Sequence, residues 1–361
     1  MHFTATEMFM GTRKNSATNL QCSLESGQDN SSRVLVSDAV TGRELAAAPS
    51  TSAVERYDNG YGQVATLART ADPSSISEWE MDFCSRPILD DRGKKVWELV
   101  VCDSRRQLLF TRFYPNNVIN SVTLKEGLLS IINSLGVPKP EKVRFFRSQM
   151  QTIISKACAD LDIQAVPSQR CITLVRLLQE RYENVYRKHP GFQEGAAPLL
   201  IPDLSFPLEV PDNLRGEQWA FVQLPLEGVR AEMSLVEKGS MFGSILSLDV
   251  LGIDLQPDAT VPGVAVGSER ATPLSAWTNA LELASIAVDK QRACLILTSG
   301  VSDRWNYAYY RKSRQANEEA EAWEACKKAS GGLHFLAVQQ SLESESCAGF
   351  WLLYDPPSSP I

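Results

Sequence analysis

The stretch SEWEMDFCSRPILDDRGKKVWELVVCDSRRQLLFTRFY, residues 77–114, alternates strand-forming runs with turn residues. Trp79–Ile88, Lys94–Cys102 and Gln107–Tyr114 are rich in aromatic and β-branched side chains. Asp90-Asp91-Arg92-Gly93 and Ser104-Arg105-Arg106 separate them. That pattern predicts a three-stranded antiparallel meander. Downstream the period changes from two to 3.6. Leu124, Leu128, Ile131, Ile132 and Leu135 share one helical face, with a capping box expected from Thr123 and Glu126 and a stop at Gly136 and Pro138. Lys142–Arg147 reads as a short strand. Ser148 with Gln151 is expected to cap a second helix with Met150, Ile153, Ile154, Ala157, Cys158 and Leu161 on its core face. Gln164–Val166 follows as a strand and Leu174–Lys188 as a third helix, closed by His189-Pro190. Three antiparallel strands followed by alternating helices and parallel strands is the order of a ribonuclease-H-like fold.

On the N-terminal side the pattern stops. Residues 1–75 are dominated by Ser, Thr, Ala, Gly and Asn, and Ala46–Ser52 is low in complexity, so a disordered extension is expected. Its first 20 residues carry Arg13 and Lys14 against Glu7 alone, which fits an organelle transit peptide, although seven acids in 25–72 fit poorly. On the C-terminal side, the first α/β domain (76–189) gives way to a Pro-rich linker over 190–217, with Pro190, Pro198, Pro202, Pro207 and Pro211. A second α/β domain is expected over 218–361. Its candidate strands are Trp219–Leu224, Ile245–Ile253, Val261–Val266, Cys294–Thr298, Trp305–Tyr310, Leu333–Gln339 and Cys347–Tyr354. Its helices start at Thr272-Pro273 and at Ser313, the latter ending at Gly331-Gly332. The expected fold class is therefore mixed α/β: two α/β domains, the first ribonuclease-H-like, behind a disordered N-terminal tail.

Composition narrows the function. The 361 residues are 43% hydrophobic and 22% charged, ordinary for a globular chain of about two domains. No apolar run approaches 18 residues, so no membrane-spanning helix is expected. Eight cysteines without CxxC or CxC spacing argue against a disulfide scaffold. Three scattered histidines (His2, His189, His334) argue against a zinc site, and no metal or cofactor is expected. Charge is unevenly spread: residues 76–190 carry 18 basic and 13 acidic side chains, whereas 191–361 carry 12 and 22. A basic domain beside an acidic one fits a polyanion partner on the first and a different contact on the second.

Catalytic patterns are missing. A ribonuclease-H-like nuclease needs three or four carboxylates around two metal ions. Asp82 and Glu126 stand at two such positions, but Lys142–Arg147 supplies Arg144 and Arg147 where a carboxylate is required. There is no GxxxxGK[ST] loop and no GxSxG elbow, and His334 between Leu333 and Phe335 reads as a structural histidine. Material for binding RNA is better. Arg304, Trp305, Tyr307, Tyr309, Tyr310, Arg311, Lys312 and Arg314 interleave rings and cations within eleven residues, the combination that holds a single strand by stacking and by its phosphates. On a regular strand Trp305, Tyr307 and Tyr309 share a face, and that face could equally be core. No RNP-type signature, KH loop or zinc knuckle is present.

Several further segments carry a resemblance. Ser77–Asp90 with Gly93–Leu99, then Arg144-Phe145-Phe146-Arg147, Val166-Pro167-Ser168-Gln169-Arg170, Leu199-Leu200-Ile201-Pro202-Asp203, Ala293–Leu297 and Gly349-Phe350-Trp351-Leu352-Leu353 resemble the Tab-two family of cyanobacteria and chloroplasts. The resemblance covers about residues 76–355. It implies a non-enzymatic RNA-binding translation factor of the chloroplast stroma that binds the A/U-rich 5′ leader of a photosystem I reaction-centre mRNA, promotes its translation and supports photosystem biogenesis. It also implies other translation or assembly proteins as partners, and a plastid address in the N-terminal extension. On this reading Arg86, Arg144, Arg147, Arg304 and Arg311 are candidates for phosphates, and Trp305, Tyr309 and Tyr310 for bases. The family's C-terminal motif stands here as Trp351-Leu352-Leu353, which as a final apolar strand reads as core. Two alternatives stay open: a metal-dependent nuclease using Asp82 and Glu126, and a protein-assembly scaffold built on the acidic second domain.

Overall fold

The computed structural model describes residues 51–58, 61–194, 205–253, 255–256 and 258–355, with side chains from Gly62 onward. The first lobe runs β1 (Thr51–Asp58), β2 (Tyr61–Ala68), β3 (Glu78–Leu89), β4 (Lys95–Cys102), β5 (Leu108–Tyr114), α1 (Ser121–Leu135), β6 (Lys142–Phe145), α2 (Gln151–Ala159), β7 (Gln164–Pro167) and α3 (Ile172–Arg181), which continues into a wider turn over Tyr182–Tyr186. These strands form one sheet ordered β1-β2-β5-β4-β3-β6-β7. β3, β4 and β5 are mutually antiparallel, while β6 runs parallel to β3 and β7 parallel to β6, the ribonuclease-H-like order expected from the sequence. Within the stretch 1–75 expected to lack structure, residues 1–50 and 59–60 lie outside the described residues, as does the transit-peptide reading. Thr51–Asp58 and Tyr61–Ala68 pair with each other and then with β5, so the folded body begins before Ser77.

Alternation along β3 organises the lobe. Trp79, Met81 and Phe83 are buried in one core with Leu124, Leu128 and Ile131 of α1 and Ile154, Ala157 and Cys158 of α2. Glu80 and Asp82, also buried, point to the opposite face, which α3 covers with Leu174, Leu177 and Leu178. The turns are made by side chains. Asp90 accepts from the amides of Arg92 and Lys94 at 2.9 and 2.8 Å, with Gly93 left-handed at φ +71°, and Asp103 accepts from Arg105 and Leu108 at 3.0 and 2.7 Å. The expected helix caps differ. α1 starts three residues earlier than a Thr123–Glu126 box allows, because Asn120 accepts from the amides of Val122 and Thr123 at 2.9 Å each, and Thr123 donates back to the Val118 carbonyl. Ser148 opens a 3-10 turn instead of capping α2, which begins at Gln151 without a side-chain cap.

The second lobe runs β8 (Leu208–Glu209), β9 (Gln218–Pro225), α4 (Leu226–Glu237), β10 (Phe242–Ser244), α5 (Leu248–Leu251), β11 (Thr260–Gly267), α6 (Ala271–Ala280), β12 (Leu283–Asp289), β13 (Cys294–Ser299), β14 (Asp303–Tyr309), α7 (Arg314–Ala329), β15 (Leu333–Gln339) and β16 (Cys347–Tyr354). It holds two mixed sheets, β10-β16-β15-β11-β9 and β12-β13-β14-β8. β15 is buried along its whole length, with Trp351 and Leu353 of β16 on one side of the sheet and Phe350 and Leu352 on the other. The strand expected over 245–253 is instead the short turn of α5 after β10: Gly252 at φ +57° terminates it. α4 and β12 are additional to the elements expected from the sequence. Of the Pro-rich stretch 190–217, residues 195–204 lie outside the described residues, and Leu208–Glu209 joins the second lobe as an edge strand beside β14.

Candidate nucleic-acid interface

Three of the arginines read as phosphate contacts are already committed to carboxylates. On the α3 side of the first sheet, Arg86 donates to Asp82 at 2.7 Å and to Glu98 at 2.9 Å, and Arg147 donates to Asp82 at 2.6 Å. Arg181 and the Tyr186 hydroxyl complete the shell of Glu98. Burial works against ionising Asp82, but Arg86 and Arg147 more than offset it and hold the carboxyl below the usual range. Arg86 and Arg147 are 4% and 8% exposed, so the structure corrects both: they neutralise buried acids and do not present a surface to RNA. The same geometry removes the nuclease pair. Asp82 faces α3 between two guanidiniums, whereas Glu126 is exposed on α1, across the sheet. Among the described residues no cluster of three or more His, Cys, Asp or Glu could hold a metal ion.

Arg144 is the third. Its Nε and Nη2 donate to Glu282 of the second lobe at 2.7 and 3.2 Å, and its Nη1 donates to Glu78. Lys142 also reaches both acids, at 3.2 and 3.6 Å. Ser168 donates to the Glu282 carboxylate at 3.2 Å. Glu282 holds this post in the left-handed region at φ +52°, uncommon for a residue with a Cβ. Arg144 is therefore not free for a phosphate: its charge joins the two lobes.

In the aromatic run a bulge decides which rings are outside. Leu295 of β13 faces Ala308 while Ile296 faces Asn306, so Tyr307 is the extra residue and the alternation slips by one. Trp305, half-buried, packs edge-on against Trp277 at 5.3 Å and donates its indole N–H to Ser299 at 2.9 Å; Tyr307 is buried in the same core. Tyr310 lies edge-on to Trp219 at 6.2 Å, and Arg304 is half-buried. Tyr309 is turned out, 50% exposed, its hydroxyl donating to Glu209. Arg311 and Lys312 follow it, both exposed. Trp305 and Tyr310 are therefore corrected toward packing roles, while Tyr309 and Arg311 keep faces open to a ligand. Trp351, Leu352 and Leu353 are buried core, as their sequence context predicts.

Between the lobes lies a cleft of about 1050 Å³. The first lobe lines it with Glu78, Glu80, Lys142, Arg144 and Arg170, the second with Met233, Val236, Leu248, Glu282 and Trp351. Burial pushes the Glu80 carboxyl up to about 8, opposed by its hydrogen bond from the Leu174 amide at 2.8 Å. No sequence signal pointed to this cleft, since its walls come from residues up to about 275 positions apart and only docking brings them together.

Two family profiles cover most of the first lobe and nearly all of the second. Residues 78–181 match the N-terminal domain of the RNA-binding protein Tab2/Atab2, and residues 198–354 match its C-terminal domain. This chain belongs to the Tab2 family. Curated members are highly similar: the chloroplastic TAB2 homolog of Arabidopsis thaliana is 55% identical over 304 residues, 84% of this chain and 81% of that one. The Zea mays homolog, also chloroplastic, is 58% identical over 299 residues, 83% and 77% of the two chains. A solved retroviral intasome complex aligns at 17% identity with a TM-score of 0.19 over 42% of this chain, too distant a likeness to carry any inference. Of the segments that carry the Tab2 resemblance, Val166–Arg170 forms the lobe junction, where the Gln169 amide donates to Gly300 at 2.7 Å, and 199–203 lies outside the described residues.

Proposed function

We propose that this protein binds RNA in the chloroplast stroma without transforming it, recognising the A/U-rich 5′ leader of a photosystem I reaction-centre mRNA and promoting its translation. Membership of an RNA-binding family supports RNA as the ligand, and chloroplastic relatives support the compartment. The observation that carries the reading on this molecule is the turned-out ring of Tyr309, followed by the exposed cations Arg311 and Lys312. A ring face beside cations accepts a base by stacking and its phosphate by charge, with little dependence on which base it is. Sequence preference for the leader would then come from further contacts, with other translation or assembly proteins as partners.

Electrophoretic mobility shifts test this directly. The purified chain should retard a labelled leader more strongly than a scrambled RNA of equal length, and binding should weaken steeply as salt rises. Tyr309→Ala should cost about 1–3 kcal/mol, or roughly 5- to 150-fold in affinity, with an unchanged melting temperature. Equal affinity of the variant removes Tyr309 from the interface. RNA cleaved during incubation with Mg²⁺ or Mn²⁺ overturns the non-enzymatic reading.

A further inference from the structure

The interlobe cleft is asymmetric in chemistry. Most of its carboxylates are matched: Glu78 and Glu282 by Lys142 and Arg144, Glu237 by Arg105 at 3.0 Å, and Asp103 by backbone amides. Glu80, buried, keeps its proton at neutral pH. Two cations are left over. Arg170, half-buried on the first-lobe wall, and Arg230, exposed on α4, have no carboxylate within ion-pair distance among the described residues, just as Asp103 and the exposed Asp249 have no cation within that distance. Among the described residues the Arg170 guanidinium makes one long hydrogen bond, 3.4 Å, to the Ile245 carbonyl. Burial and the neighbouring Arg144 bring its guanidinium down to about 10, against the pull of Glu282, Glu78 and Glu80 in the other direction. The facing wall is aliphatic: Met233, Val236 and Leu248 remain partly open to the cleft, and the Ser244 hydroxyl beside them is buried without a partner.

Cations without an ion-pair partner, Arg170 on one wall and Arg230 on the other, beside the aliphatic side chains of Met233, Val236 and Leu248 match a nucleotide, which is anionic at the phosphate and flat and weakly polar across the base. The volume, about 1050 Å³, is at the upper end of enclosed small-ligand sites. We propose that this cleft holds one nucleotide unit of the bound RNA strand, with flanking phosphates on Arg170 and Arg230 and the base against Met233, Val236 and Leu248. The inference rests on the RNA-binding reading and adds a second contact region, distinct from the Tyr309 platform.

Fluorescence anisotropy with a labelled A/U-rich 20-mer and the full chain tests it, using Arg170→Ala, Arg230→Ala and the unaltered protein over a salt series. Each substitution should weaken binding about tenfold, as expected for a lost charge-assisted phosphate contact, and make the salt dependence shallower by about one unit of log–log slope. Unaltered affinity and slope in both variants overturn the cleft assignment while leaving the RNA reading intact. An unaltered protein that does not bind the 20-mer at all overturns the reading itself. Should Arg170→Ala fail to fold, Arg230→Ala decides alone, since its side chain is exposed on α4. In a parallel arm, free AMP or UMP that binds as tightly as the 20-mer and depends on Arg170 identifies a free-nucleotide pocket and overturns the strand assignment.

Discussion

Arg147 closes a run in which two arginines flank two aromatic rings, the pattern that invites a nucleic-acid interpretation, yet its guanidinium is bonded to Asp82 and packs over the ring of Phe146 at 5.0 Å. Removing it leaves Asp82 buried with one cation fewer. Arg147→Ala is therefore expected to lower stability by about 1.5–3 kcal/mol, read from urea unfolding, because Asp82 loses a charge-assisted hydrogen bond while Arg86 still balances its charge. A loss below about 1 kcal/mol sinks the buried-network account. Glu80 gives the pH dependence. Its carboxyl is raised by burial to about 8 in the folded chain, from 4.5. Below pH 4.5 both states are protonated and the contribution is complete; it declines as pH rises through the window and is gone above about 8. Glu80→Gln stays neutral and keeps an acceptor for the Leu174 amide. Its melting temperature relative to the unaltered protein should rise by several degrees between pH 5 and pH 8.5, and a flat difference contradicts a buried protonated carboxyl.

Elements differ in how much of their placement local rules control. The meander β3–β5 and the final pair β15–β16 were legible because alternating apolar residues and turn chemistry coincide: a register slip would move Trp79, Met81 and Phe83 off the core. α1 was legible in its apolar face but not in its first turn. Asn120, Ser121 and Thr123 are all acceptable caps, and only the path of the preceding chain puts the Asn120 side chain over the amides of Val122 and Thr123. β14 was legible as a strand but not by face, since a single bulged residue, Tyr307, breaks the alternation that would keep Trp305 and Tyr309 on one side. The apolar residues of 245–253 suit a strand and a helical turn alike, and Ser247 with Gly252 at φ +57° favours the turn.

At the scale of the whole molecule, the two lobes meet through polar contacts, Arg144 and Ser168 on Glu282, Arg105 on Glu237 and Gln169 on the backbone of Gly300 and Val301, and through Ile172, which packs against the second lobe's core. Burial opposes ionisation of Glu282, and Arg144 more than compensates, so this carboxylate stays charged well into the acid range. Glu282→Gln should uncouple the lobes, splitting one calorimetric unfolding transition into two and quickening proteolysis at the junction. A single, unshifted transition contradicts a docking role. Membership of an RNA-binding family, the α/β class and the first lobe's strand order follow from the amino-acid order, because hydrophobic period, turn residues and short sequence motifs act over a few neighbouring positions. Which arginines stay available to a polyanion does not follow from it. Arg86, Arg144 and Arg147 look alike in a linear chain. Their partners Asp82, Glu98, Glu78 and Glu282 come as near as four and as far as 138 residues away. Charge compensation depends on distance in space, and chain folding alone brings those carboxylates within bonding reach.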